Sequence, residues 1–151
     1  MSKKFLVAVD GSTHAWKALD LATDLAIVAD AELVILHVVP YEEVPDALLE
    51  FARVERVPGE EMGARHHYRR AIGDKIISEA ETRVRKKGLA RITTEVVEGN
   101  PADEIVEFAK SQGADMVFFG SRGLGDVKSL LMGSVSHKVL HLSPCTCVAV
   151  K

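Results

Sequence analysis

The stretch Phe118-Phe-Gly-Ser-Arg-Gly-Leu-Gly-Asp-Val-Lys-Ser-Leu-Leu-Met-Gly-Ser-Val-Ser136 decides how the rest of the chain reads. An apolar strand over 115–119 runs into Gly120; Gly123 and Gly125 follow, and Gly133 then precedes two hydroxyl residues, Ser134 and Ser136. Glycine lets the backbone reach positive φ and lets an anion approach without meeting a Cβ, so successive N–H groups can converge on one point. Residues 133–136 also open a helical pattern, and a helix start presents unpaired donors at the positive end of its dipole. The pattern fits a phosphate cradle. Glycine-rich turns after parallel strands also occur without a ligand, so glycine count alone leaves both readings open. Two common phosphate signatures are excluded. A Walker A loop needs Gly-Lys-Ser/Thr, but Gly125 is followed by Asp126, and a dinucleotide fingerprint needs a third glycine where Lys128 stands.

Outward from this stretch, strands and helices alternate. Lys4-Phe-Leu-Val-Ala-Val9 and Glu32-Leu-Val-Ile-Leu-His-Val-Val39 are apolar runs of the kind covered on both faces in a parallel sheet. The first ends at Asp10-Gly11-Ser12, where Ser12 is a good N-cap for a helix burying Ala15, Leu19, Ala22, Leu25 or Ala26, and Ala29. Asp10 reads as a turn residue or a ligand contact. The second run stops at Pro40, completing a strand, helix, strand unit expected to cross over right-handed, and His37 within it reads as a packed histidine rather than a catalyst. Residues 41–63 read as a loop with a short helix near 46–53. Residues 64–87 place Tyr68, Ile72, Ile76, Ala80 and Val84 four apart on a long amphipathic helix closed at Gly88. Gly73 weakens that helix by about 1 kcal/mol relative to alanine.

Residues 92–97 alternate as an edge strand should. Asn100-Pro101-Ala-Asp103-Glu104 is a helix start with cap, first-turn proline and first-turn carboxylates, which gives those carboxylates a structural task. That helix buries Ile105, Val106 and Ala109 and ends at Gly113. The strand into the glycine stretch follows, then a helix over 134–142 and a strand over 146–150. His137 and His141 stand four apart, a spacing zinc proteins use, but without the accompanying acidic pattern, and read as surface or packing histidines. Cys145 and Cys147 share one face of the last strand and suit small buried positions better than a disulfide. Five strands and four main helices give a doubly wound parallel α/β sheet. One domain spanning 1–151 accommodates it, since 47% hydrophobic residues in a chain of 151 supply one full core. A net charge of −3 provides no basic field for nucleic acid or an anionic membrane. Only five apolar residues separate Lys4 from Asp10, too few for a signal-peptide core, so a cytoplasmic location is expected.

The glycine spacing is Gly120, two residues, Gly123, nine residues, Gly133, Ser134. It resembles the universal stress protein family, whose ATP-binding members carry Gly, two residues, Gly, nine residues, Gly, then Ser or Thr. The resemblance extends over the whole length, from Val7-Ala-Val-Asp10 through Leu36-His-Val38 to Pro144-Cys-Thr-Cys-Val-Ala-Val150. It implies strand order 3-2-1-4-5 with helices on both faces, so that the loops at 10–12 and 120–126 flank a crevice at the carboxyl ends of the strands. It implies nucleotide contacts at Ala8, at Asp10 on the ribose side, and at Val38, whose backbone meets the adenine. Around the phosphates it implies Gly120, Ser121, Arg122, Gly123, Gly125, Gly133, Ser134, Val135 and Ser136. The expected donors are the N–H groups of Gly123, Gly133, Ser134 and Val135 and the hydroxyls of Ser134 and Ser136, with Arg122 as charge partner.

The resemblance further implies an ATP-binding stress-response or regulatory module. Mg or Mn would be carried by the phosphates, with no metal ligand from the protein and no catalytic residue. It implies a homodimer through the last strand around Thr146, Val148 and Val150, with an unidentified protein partner. Two rival readings stand beside it. One is a slow ATPase or nucleotidyl transferase on the same cleft, with Asp126 and Lys128 the nearest charged groups after the glycines; the other is a dimeric interaction protein with an empty cleft.

Overall fold

The computed structural model describes residues 2–40, 50–51, 53–56, 65–123 and 132–151. Its strands are β1 (Lys4–Ala8), β2 (Glu32–Val39), β3 (Ile92–Glu98), β4 (Met116–Gly120) and β5 (Thr146–Val150). Its helices are α1 (Thr13–Ala29), α2 (Arg65–Lys86), α3 (Pro101–Gln112) and α4 (Ser134–Leu142). The strands form one parallel sheet in the order β3-β2-β1-β4-β5, as the resemblance implied. Of the short helix expected near 46–53, only residues 50, 51 and 53 are described, and they are helical. No described helix is long and apolar enough to cross a membrane.

Alternation along the strands divides the core in two, because successive side chains point to opposite faces. Phe5 and Val7 of β1, Leu33 and Ile35 of β2 and Phe118 of β4 pack under α1 and α2. Leu6, Val34, Leu36, Val38, Val117 and Phe119 pack under α3 and α4. The small residues Ala15, Ala18, Ala22 and Ala26 let α1 lie close on the sheet, and Ile72, Ile76, Ala80 and Val84 form the fully buried stripe of α2. Of the alternatives Leu25 and Ala26, Ala26 is the buried one, and Ala29, expected inside, faces outward. Leu25 is 38% exposed and Ala29 is exposed, because the buried arc runs through Ala22, Thr23 and Ala26 and places both beyond its edge. On the other layer, Asn100 Oδ1 accepts from the Asp103 N–H at 3.2 Å. Asp103 also pairs with Lys138 at 2.8 Å, which ties α3 to α4. Cys145 and Cys147 are free thiols packed against the α3/α4 core.

Gly73 has a packing role that helix propensity conceals. His37 is 3% exposed, and its Nδ1–H donates to the Val9 carbonyl at 2.8 Å. A Cβ on Gly73 would lie 2.8 Å from Cδ2 and 3.2 Å from Nε2 of that ring. Gly73→Ala gains about 1 kcal/mol of helix propensity but overpacks a ring pinned by its hydrogen bond, which costs about 1–3 kcal/mol. Urea denaturation should therefore show Gly73→Ala less stable than the parent. In a His37→Ala background, where the ring is gone, the same substitution should stabilise, and the sign change across this double-mutant cycle is the test.

Candidate functional site

At the carboxyl ends of β1 and β4 the sheet order changes direction, and the loops leaving these two strands part to form a crevice. A cleft of about 160 Å³ occupies it. Ala8, Val9, Asp10, Ser12 and Ala15 line it from β1 and the start of α1, and Leu36, His37, Val38 and Pro40 from β2. Pro101 and Ile105 contribute from α3, and Phe119, Gly120, Arg122, Gly123, Val135 and Ser136 from β4, its loop and α4.

The β1 side is set by a tight turn. Asp10 Oδ1 accepts the Ser12 N–H at 2.9 Å, and Gly11 between them has φ 87°, a left-handed value that favours glycine. Ser12 then caps α1, its Oγ accepting the Ala15 N–H at 3.2 Å. Asp10 is thus both the turn residue and a wall of the cleft. The β4 side is set by close approach. A Cβ on Gly120 would stand 2.8 Å from the Ala15 nitrogen and 2.8 Å from His14 Cβ, so the missing side chain lets the first turn of α1 press against the end of β4. Ser121 follows, 1% exposed, and all three of its polar groups are engaged. Its N–H donates to Val150 at 2.7 Å, its carbonyl accepts the Gly133 N–H at 2.7 Å, and its Oγ lies 3.1 Å from His14 Nδ1.

These bonds change what the expected donors do. The Gly133 N–H points back to Ser121, and the Ser136 hydroxyl donates to the Gly120 carbonyl, so both serve the loop's own frame. Gly133 is the N-cap of α4 with φ −74° and ψ 164°, ordinary extended values; positive φ is not what glycine provides there. It has no side chain to cap the helix. The N–H groups of Ser134, Val135 and Ser136 have no acceptor within the helix, because the first turn never does. Ser134 is exposed and lies outside the cleft lining, as does buried Ser121, and Gly125 falls outside the described residues, as do Asp126 and Lys128. Among the described residues no group of three or more His, Cys, Asp and Glu side chains is placed to hold a metal ion. His137 and His141 stack edge to face on the exposed side of α4, with ring centroids 4.5 Å apart.

The sequence reading had placed neither His14 nor Pro40, Pro101 and Ile105 at the site. Pro101 was legible as a helix start, and the position of that helix after β3 brings it to the same end of the sheet. His14 carried no signal, since its partner is 107 residues away. The His14 imidazole is kept below its ordinary pKa by burial first, then by the charges of Arg122 and Lys17, with Asp10 acting the other way.

A family model for the universal stress protein family matches residues 1–151. Universal stress protein YxiE of Bacillus subtilis is 38% identical over 151 residues, covering all of both chains. Among solved structures, a universal stress protein in complex with cAMP aligns with TM-score 0.71 at 24% identity, over 99% of this chain and 97% of its own. The universal stress protein of Archaeoglobus fulgidus in complex with dAMP aligns with TM-score 0.66 at 19% identity, over 100% and 98%.

The cleft wall carries a pH dependence. Burial, partly offset by the bond to Val9 and the charge of Asp10, lowers the pKa of His37 from 6.5. The unfolded chain therefore binds more protons than the folded one below about pH 6.5, and stability rises with pH through that window. It is complete above the unfolded pKa and is lost as the pH falls toward the folded one, and His14 acts in the same direction. Urea midpoints should be flat from pH 8 to 7 and fall from pH 6.5 to 5. In His37→Gln, which cannot titrate, the fall should be smaller.

Proposed function

The chain belongs to the universal stress protein family, and on that premise we propose that it is a stress-response module of the ATP-binding subgroup that holds ATP as a regulatory ligand without efficient turnover. The observation that carries this reading is the first turn of α4. Its donors are uncapped by any side chain, and Val135 and Ser136 line a cleft that also presents the apolar surfaces of Leu36, Val38, Pro101 and Ile105. A helix start of this kind favours phosphate, and the surfaces of Leu36, Val38, Pro101 and Ile105 suit a purine face. The cAMP and dAMP complexes of the structural neighbours support an adenine nucleotide as the class of ligand. A divalent ion would accompany ATP on its phosphates, with Arg122 adding positive charge at the mouth.

Magnitudes bound the affinity. Three charge-assisted hydrogen bonds from Ser134, Val135 and Ser136 contribute about 1.5–3 kcal/mol each, while a micromolar complex requires about 8 kcal/mol before association costs are met. The phosphates alone do not reach this comfortably, so burial of the base must supply the remainder. Efficient hydrolysis is disfavoured because Asp10 is the only carboxylate among the described cleft residues, and its Oδ1 already accepts from Ser12. A homodimer through β5 agrees with that strand's place at the sheet edge, where Val148 and Val150 remain half-buried.

Protein denatured after purification should release adenine nucleotide on chromatography, and added MgATP should bind near micromolar with negligible phosphate release. Rapid release would favour the enzyme, and absence of binding the empty-cleft protein. Val135→Asp places a carboxylate in the first helical turn, where it helps the helix by about 0.3–1 kcal/mol yet repels phosphate. It should keep its thermal midpoint and lose at least tenfold in ATP affinity by calorimetry; unchanged affinity would move the site elsewhere. Sedimentation equilibrium should give a particle of two chains.

A further inference from the structure

His14 lies at the second position of α1, and nothing in the cleft reading uses it. Its ring reaches across from the loop after β1 to the loop after β4, with Nδ1 3.1 Å from Ser121 Oγ. This side-chain hydrogen bond joins the start of α1 to the loop after β4 across the crevice. Beneath it, the first turn of α1 already presses on Gly120, with the Ala15 nitrogen and His14 Cβ occupying space a side chain would need. Beyond it, Ser121 passes the constraint in two directions, since its carbonyl holds the Gly133 N–H and its N–H holds the end of β5. Gly133 is the N-cap of α4.

We propose that His14 is a positioning residue of the anion site: by clamping Ser121 to α1 it fixes the N-cap of α4, and with it the direction in which the first-turn amides of α4 point. The inference rests on the nucleotide-binding reading above and names a residue that this reading does not require. Its physical basis is geometric. A helix start binds an anion only if several N–H groups converge on one point, and an angular error at the cap moves all of them together. The bond from Gly133 to Ser121 holds that cap at one place, and Ser121 is located from the α1 side by contact with Gly120 and by the imidazole. Without the imidazole, the Ser121 hydroxyl is left buried without the partner that ties it to α1.

The test is a double-mutant cycle read by MgATP binding. His14→Phe keeps the ring volume and removes the hydrogen bond, Ser121→Ala removes the other partner, and His14→Asn restores a polar atom close to the place of Nδ1. Each of the first two should weaken binding about tenfold with the far-UV spectrum unchanged. The double variant should be no weaker than either single one, because both break the same link. His14→Asn should bind within about threefold of the parent. Parental affinity in His14→Phe, or losses that simply multiply in the double variant, would overturn the inference while leaving the nucleotide-binding reading intact. A parent chain that binds no MgATP would overturn both.

Discussion

The fold depends on a side chain that is absent. Where β4 ends, the backbone of α1 passes so close that even one methyl group on Gly120 would collide with the Ala15 nitrogen. This contact sets the separation of the two loops that leave the central strands, and so the width of the crevice between them. In a parallel sheet those loops diverge at the point where strand order changes direction, and the gap is a consequence of topology. Its dimensions are a consequence of packing. Gly120 determines how near α1 can come, and Ser121 converts that nearness into a fixed geometry by bonding outward to α1, α4 and β5 at once.

The glycines of the motif then fall into separate physical roles. Gly120 permits a close approach of backbone, and Gly133 adopts an extended conformation open to any residue and precedes α4 without giving it a side-chain cap. Neither uses the left-handed freedom for which glycine is usually invoked; in this region Gly11 does. Two groups expected to face a phosphate, the Gly133 amide and the Ser136 hydroxyl, instead hold the loop to β4. The physical reason is burial. The carbonyls of Gly120 and Ser121 sit at the end of a strand, where ladder partners run out, and buried carbonyls left unbonded would cost about 1–3 kcal/mol each. The loop supplies its own frame first, and the remaining donors are those that point away from that frame.

How far sequence could reach follows from the same distinction. The strands were legible because a parallel sheet covered on both faces needs continuous apolar runs, and β2 was bounded correctly by Glu32 and Pro40. The caps at Ser12 and Asn100 were legible because short polar side chains at helix starts answer a local need. Leu25 was ambiguous because a stripe spaced by three and four residues fixes a helical face only to within one position. The partners of Ser121 were not legible, as they come from α1, α4 and β5 and are joined only by the folded topology. Gly73 was legible only in part: its cost to the helix is visible in sequence, while the His37 ring that fills the vacated space lies on β2.

The starts of α1 and α4 offer a final comparison, since both reach the same cleft and both carry the positive end of a helix dipole. At α1 the cap is a serine whose hydroxyl takes the Ala15 amide, so part of the electropositive character of that end is answered within the protein. At α4 the cap is a glycine with no side-chain bond to give. Had the two residues been exchanged, α4 would cap itself and α1 would be the end left open, facing Asp10 and its carboxylate. An anion would then meet negative charge instead of Arg122. On the proposed nucleotide-binding reading, the asymmetry between Ser12 and Gly133 would orient the cleft: phosphate would lie on the β4 side, and the β1 side, with its carboxylate and its tight turn, would be left to groups that donate hydrogen bonds.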